Sequence, residues 1–170
     1  MFVDIRHTGA SNTGFAISKL IVDVTVTNMR TNVSINIKAL VDGGCEVAYL
    51  VLVEEDRVSL GLQRTGSKGG TQGDGSAITV NMYEPVIVSF AMSDGSELTT
   101  SHIYPGILND NRPEAVDTSV GGNKRRRADS KVFIDAIARH DRVIGYGLLH
   151  LLQLKQDFAN HRLHKVSFRL

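Results

Sequence analysis

A mainly β fold is predicted for this chain, and three observations carry the prediction. Apolar and polar residues alternate with a period of two over residues 20–27, 33–41 and 78–92, the spacing of strands with one buried face. Clusters of Gly, Asn, Asp and Ser separate the runs, as hairpin turns require. Helical periodicity is confined to short stretches near residues 54–60 and 146–152. With 170 residues and 42% hydrophobic content, the chain can bury a substantial core, so one domain over 1–170 is expected.

Phe2-Val3-Asp4-Ile5 reads as a short opening strand, followed by a Thr/Gly/Ser/Asn-rich loop from Thr8 to Gly14. From Leu20 to Thr27, Val22, Val24 and Val26 share one face and Asp23, Thr25 and Thr27 the other. Asn28 to Asn32 forms a turn. Val33, Ile35, Ile37, Ala39 and Val41 then return opposite the polar Ser34, Asn36 and Lys38. The result is a hairpin whose second strand ends at Asp42. Tyr49 to Val53 has strand composition, whereas Glu54-Glu55-Asp56-Arg57 running into Leu60-Gly61 reads as a short helix stopped by glycine.

Residues 64–76 contain five glycines, a backbone able to approach a ligand closely. Lys68 does not lead into a Ser/Thr-capped helix, so a phosphate-cradling loop is excluded. Ile78, Val80 and Met82 alternate, Pro85 interrupts, and Val86, Val88, Phe90 and Met92 resume. Ser93-Asp94-Gly95-Ser96 is a hairpin turn, after which Leu98, Thr100, His102 and Tyr104 return on the next strand. Asp74-Gly75 and Asp94-Gly95 lack the regularly spaced oxygen ligands of a calcium loop and are read as turns.

From about 106 to 130 the composition becomes polar, and this stretch is expected to be an exposed insertion. Its Lys124-Arg125-Arg126-Arg127 cluster has no interleaved aromatics and is read as a solvated loop. Val132 to Ala138 is a short apolar segment, and Val143-Ile144-Gly145 follows a polar hinge. Leu148, Leu149, Leu151 and Leu152 form the apolar face of a short helix. Gln156 to Val166 reads as a closing hairpin that turns near Asn160-His161.

Composition narrows the function classes. Residues 1–108 hold 7 Lys/Arg against 11 Asp/Glu, a net of −4, and residues 109–170 hold 12 against 7, a net of +5. That asymmetry is too small to make nucleic acid an expected partner. One cysteine excludes an internal disulfide framework and fits a reducing compartment. No stretch reaches membrane-spanning length and the N-terminus lacks a signal layout, so a soluble cytoplasmic domain and no membrane partner are expected. No His/Cys/Asp/Glu spacing points to a metal site, and no cofactor is expected.

The chemistry concentrates at Asp42-Gly43-Gly44-Cys45, where an apolar strand delivers one carboxylate into paired glycines. A carboxylate ending a buried strand is costly unless it is paired or used. Val41-Asp42-Gly43-Gly44-Cys45 resembles the Asp-Thr/Ser-Gly-Ala/Cys loop of retropepsin-like aspartic proteases, and Asp42 to Leu50 most closely those of gypsy-type retrotransposons. Val143-Ile144-Gly145 and its helix match the family's two apolar residues and glycine, and Leu60-Gly61-Leu62 matches the end of its short middle segment. The order of elements matches from about residue 20 to 168. Gly43 stands where the family usually has Thr or Ser, whose hydroxyl bonds across the dimer, and Gly147 stands where many relatives have Asp or Asn.

The resemblance implies a retropepsin-like half-barrel with one short C-terminal helix, homodimeric, cleaving a polypeptide. Asp42 would be catalytic, Gly43, Gly44 and Cys45 its loop, and Val143, Ile144 and Gly145 the loop's support. Gly69, Gly70, Gly73, Asp74 and Gly75 would lie in a substrate-covering flap. The terminal strands, around Phe2–Ile5 and Val166–Leu170, would contribute dimer contacts. A retroelement protease would work in the cytoplasm, including inside a virus-like particle. The alternative is the same fold kept as a dimerisation or assembly module with catalysis weakened or lost, which Gly43 motivates. Cys45 as a nucleophile lacks a histidine singled out by spacing, and a small residue packed in the usual Ala position is the reading adopted.

Overall fold

The computed structural model describes residues 2–5, 7–13, 17–71, 75, 77–108, 142–157 and 162–166. In chain order these form β1 (Phe2–Asp4), β2 (His7–Thr13), β3 (Ile17–Asn28), β4 (Ser34–Val41), β5 (Leu50–Val51) and α1 (Glu54–Leu60). There follow β6 (Arg64–Thr71), β7 (Ala77–Tyr83), β8 (Val86–Ala91), β9 (Glu97–Ile103) and β10 (Gly106–Leu108). The chain closes with β11 (Val143–Ile144), α2 (Tyr146–Leu151), β12 (Leu154–Asp157) and β13 (Arg162–Val166). The fold is mainly β, as the alternation predicts. It carries two short helices, α1 and α2, where the helical periodicity near residues 54–60 and 146–152 places them.

Among the described residues there are two sheets. The larger has ten strands, nine in the order β6-β7-β10-β5-β11-β4-β3-β8-β9, with β2 pairing on β3. The smaller runs β1-β13-β12. β1 and β13 thus pair with each other within one chain, Phe2 opposite Val166. Ile5 ties the two sheets together, donating its amide to Leu163 O (2.7 Å) and bridging to Met92.

Burial follows the period of two closely. Leu20, Val22, Val24 and Val26 of β3 are buried, as are Ile37, Ala39 and Val41 of β4 and Val86, Val88 and Phe90 of β8. These side chains, with Leu50, Leu52, Leu60, Ile144, Leu148 and Leu163, form the main core. Leu40 breaks the parity of β4: it is buried although its neighbours Ala39 and Val41 are too. At that end β4 is covered on both faces.

Several segments differ from the sequence expectation, and Val33 and Leu151, read as parts of apolar faces, are exposed. Residues 8–13, part of the stretch from Thr8 to Gly14 expected as a polar loop, belong to β2, which pairs with β3 from His7 opposite Val22 to Thr13 opposite Ile17. A ladder of backbone bonds recruits them regardless of side-chain polarity. The expected alternation Leu98, Thr100, His102, Tyr104 fails after Thr100. The register shifts between Val86 and Val88, His102 adopts φ 60°, and Ile103 becomes the buried residue. This is a bulge, which reverses the faces of everything after it. The polar insertion does not begin at 106: Gly106–Leu108 is a strand between β7 and β5. A Cβ on Gly106 would lie 2.5 Å from Val80 Cγ1 and 3.0 Å from Ala48 Cβ, so glycine here serves close packing rather than a loop. The basic cluster 124–127, the segment 132–138 and the turn at 160–161 lie outside the described residues.

Turn chemistry matches the sequence elsewhere. Gly61 caps α1 in the left-handed region at φ 66°, and Gly95 does the same in the β8–β9 turn at φ 86°. Both positions favour glycine because it lacks a Cβ. At the base of the β3–β4 hairpin, the fully buried Asn28 donates through Nδ2 to Leu60 O (2.9 Å) and Glu84 Oε1 (3.1 Å). Its Oδ1 accepts from the Arg30 amide (2.8 Å), and Arg30 Nε reaches Glu84 Oε2 at 3.0 Å. This network joins the hairpin turn, the end of α1 and the β7–β8 corner.

Candidate active site

Asp42 sits one residue beyond β4, in a loop held from several directions by backbone bonds. β11 is inserted between β4 and β5, parallel to the first and antiparallel to the second, with Ile144 opposite both Val41 and Leu50. That insertion lets Ile144 O accept the Asp42 amide (2.9 Å). The loop then closes on itself, because Cys45 N donates to Asp42 O (3.1 Å) and Gly44 N donates to Asp42 Oδ1 (3.0 Å). The carboxylate is half-buried, and Gly43 and Gly44 beside it are exposed.

Val143-Ile144-Gly145 supports this loop. Gly145 N donates to Tyr49 O (3.0 Å), and Tyr146 N donates to Cys45 O (2.8 Å). A Cβ on Gly145 would collide with Ala48 O and lie 2.7 Å from Cys45 O. The glycine is therefore required by contact with backbone and not by its own conformation, which at φ −87° suits any residue. Gly147 has an equivalent role for a side chain: a Cβ there would strike the Tyr49 ring. The absence of a larger residue at this position thus has a local packing cause. Cys45 is half-buried and packs against Ala48, Val51 and Val143.

Within the glycine-rich stretch, Arg64–Thr71 forms a strand that is one arm of a hairpin. β6 pairs antiparallel with β7 from Arg64 opposite Tyr83 to Thr71 opposite Ala77, with an irregularity between Arg64 and Gly66. Gly69 and Gly70 lie on β6, and Gly75 is in the turn region at φ 83°. Gly73 and Asp74 lie outside the described residues. β6 is the edge of the sheet and exposed along nearly all its length. Gly70 lies over the segment following the Asp42 loop, since a Cβ on it would fall 2.7 Å from Val47 Cγ1. The hairpin and the carboxylate loop are thereby neighbours.

One pair was not singled out by the sequence. Asp56 of α1, only 4% exposed, accepts Arg142 Nε on Oδ2 (2.8 Å) and Arg142 Nη2 on Oδ1 (2.9 Å). Eighty-six residues separate the two; the only local signal was an acidic residue in the first turn of a predicted helix. Among the described residues no helix is long and apolar enough to cross a membrane.

Neither known protein families nor curated proteins give a match to this chain.

Proposed function

We propose that the chain is an aspartic endopeptidase of the retropepsin type, acting as a homodimer on extended segments of a retroelement polyprotein in the cytoplasm. The observation that supports this most directly is the Asp42 loop, in which a half-buried carboxylate accepts its own loop amide while Ile144 O of β11 holds the Asp42 backbone N–H. Peptide hydrolysis by aspartates needs two such groups sharing a proton. One takes a proton from water while the other donates to the carbonyl oxygen. The chain has one such loop, so the second carboxylate would be Asp42 of another copy across a two-fold axis. The exposed Gly43 and Gly44 leave room for that approach. The β6–β7 hairpin would act as the flap, its free edge offering backbone groups to an extended substrate. Cys45 packs as a small apolar residue in this scheme.

The test is cleavage of a mixed peptide library at acidic to neutral pH by wild type and Asp42→Ala. Cleavage that is blocked by pepstatin, rises with protein concentration and vanishes in the variant is expected. Retained cleavage by Asp42→Ala would end the proposal.

A second reading is favoured by Gly43: the same domain used for assembly, with weak or no catalysis. A missing cross-subunit hydroxyl removes a bond of about 1 kcal/mol. A Cβ on Gly43 meets nothing within 4 Å in its own subunit, so Gly43→Thr can restore the hydroxyl without a clash there. Activity gained by Gly43→Thr from an inactive parent would favour the assembly reading.

A further inference from the structure

We infer that Arg142 and Asp56 are positioning residues, a fork-to-carboxylate clasp that fixes the register of β11 on β4 and so the placement of the Asp42 loop. Three observations combine. The pair is bidentate and its carboxylate is buried, with Asp56 95% removed from solvent at its side chain and Arg142 about two-thirds so. Its two ends belong to different structural units. Asp56 is set at the start of α1, where Oδ2 also accepts the Val53 amide at 3.2 Å. Arg142 immediately precedes β11, and its carbonyl accepts the Leu40 amide at 2.9 Å.

β11 has only two residues, so it has little ladder of its own to define where it sits. A strand can slip by whole residues, and a slip of one reverses its faces. Here a slip would carry Ile144 O away from the Asp42 amide and Tyr146 N away from Cys45 O. An Arg fork on a carboxylate permits one orientation, unlike a point charge on a flexible stem. Placing that fork one residue before a two-residue strand anchors the strand where slippage would start. The clasp therefore acts on Asp42 through β11, without touching the reacting groups.

The inference rests on the proposed protease activity only for its kinetic readout. Three variants are compared: Arg142→Lys, Arg142→Gln, and Asp56→Asn/Arg142→Gln, in which no buried charge is left unpaired. Amide hydrogen exchange is followed at Asp42 and Tyr146, with Val24 and Val88 in the main core as controls. In the folded double variant, exchange at Asp42 and Tyr146 is expected to rise by about tenfold or more while the core amides stay protected. Loss of kcat by roughly 100-fold, with KM within about twofold, should accompany it, as for a misplacement of about 1 Å. Arg142→Lys, keeping charge but not the fork, should fall between.

Unchanged exchange at both loop amides in the double variant would overturn the inference, as would equal acceleration at loop and core, which marks a purely global effect. If the wild type cleaves no peptide, the proposed function fails, and the exchange measurement still decides the clasp.

Discussion

Gly145→Ala tests the packing on which the site is built. The residue's φ of −87° and ψ of 172° are ordinary for alanine, so backbone strain plays no part. The cost arises from the added methyl, which would overlap Ala48 O and approach Cys45 O to 2.7 Å. Both neighbours are backbone atoms and cannot rotate away. Relief requires α2 to retreat from the loop, which lengthens two hydrogen bonds, Gly145 N to Tyr49 O and Tyr146 N to Cys45 O. Overpacking costs about 1–3 kcal/mol and each lost bond about 1 kcal/mol, for a total of roughly 3–5 kcal/mol. For a domain of this size that is a fall in Tm of roughly 6–20 °C. The control is Gly43→Ala, where the methyl meets open space, with an expected change within about 0.5 kcal/mol. Calorimetry of the two variants beside wild type gives the comparison, and peptide cleavage below both transitions reports the site. A Gly145→Ala protein melting within about 2 °C of wild type would refute the reasoning, because the loop would then be free to move apart at little cost.

The polar network around Asn28 gives two further predictions. Asn28→Ala removes the donor to Leu60 O and Glu84 and the acceptor for Arg30 N, and should cost about 2–4 kcal/mol in urea unfolding; Asn28→Asp, placing a carboxylate against Leu60 O and Glu84, should cost more, and the reverse order would contradict the donor assignment. Glu84 is held below the usual carboxylate pKa chiefly by its hydrogen bond from Arg30, aided by the Gln63 amide and Asn28. A carboxyl whose folded pKa is depressed stabilises the fold above its unfolded pKa of about 4.3, and that contribution is lost as pH falls through the folded value. Wild-type Tm should therefore drop more steeply than that of Glu84→Gln below about pH 4.3. Parallel curves would show that the pair contributes nothing.

By itself the sequence determined the mainly β character, because the alternation at Val22-Val24-Val26, Ile37-Ala39-Val41 and Val86-Val88-Phe90 is a local property of the chain. It also determined the turn at Gly95 and the stop at Gly61, where a positive φ selects glycine. It singled out Asp42, an acid ending an apolar strand before paired glycines, and, through the resemblance to retropepsin-like proteases, Val143-Ile144-Gly145. Tertiary structure decided the rest. Residues 7–13 became a strand because β3 offered a free edge, which no local pattern encodes. The bulge at His102 altered which face Ile103 takes. The glycines divided into distinct classes only in space: Gly145 and Gly106 serve close contact, whereas Gly43 borders open space. The clasp between Asp56 and Arg142 joins positions 86 apart. Periodicity reports which face of an element is buried; partners distant in the chain are set by how the elements pack.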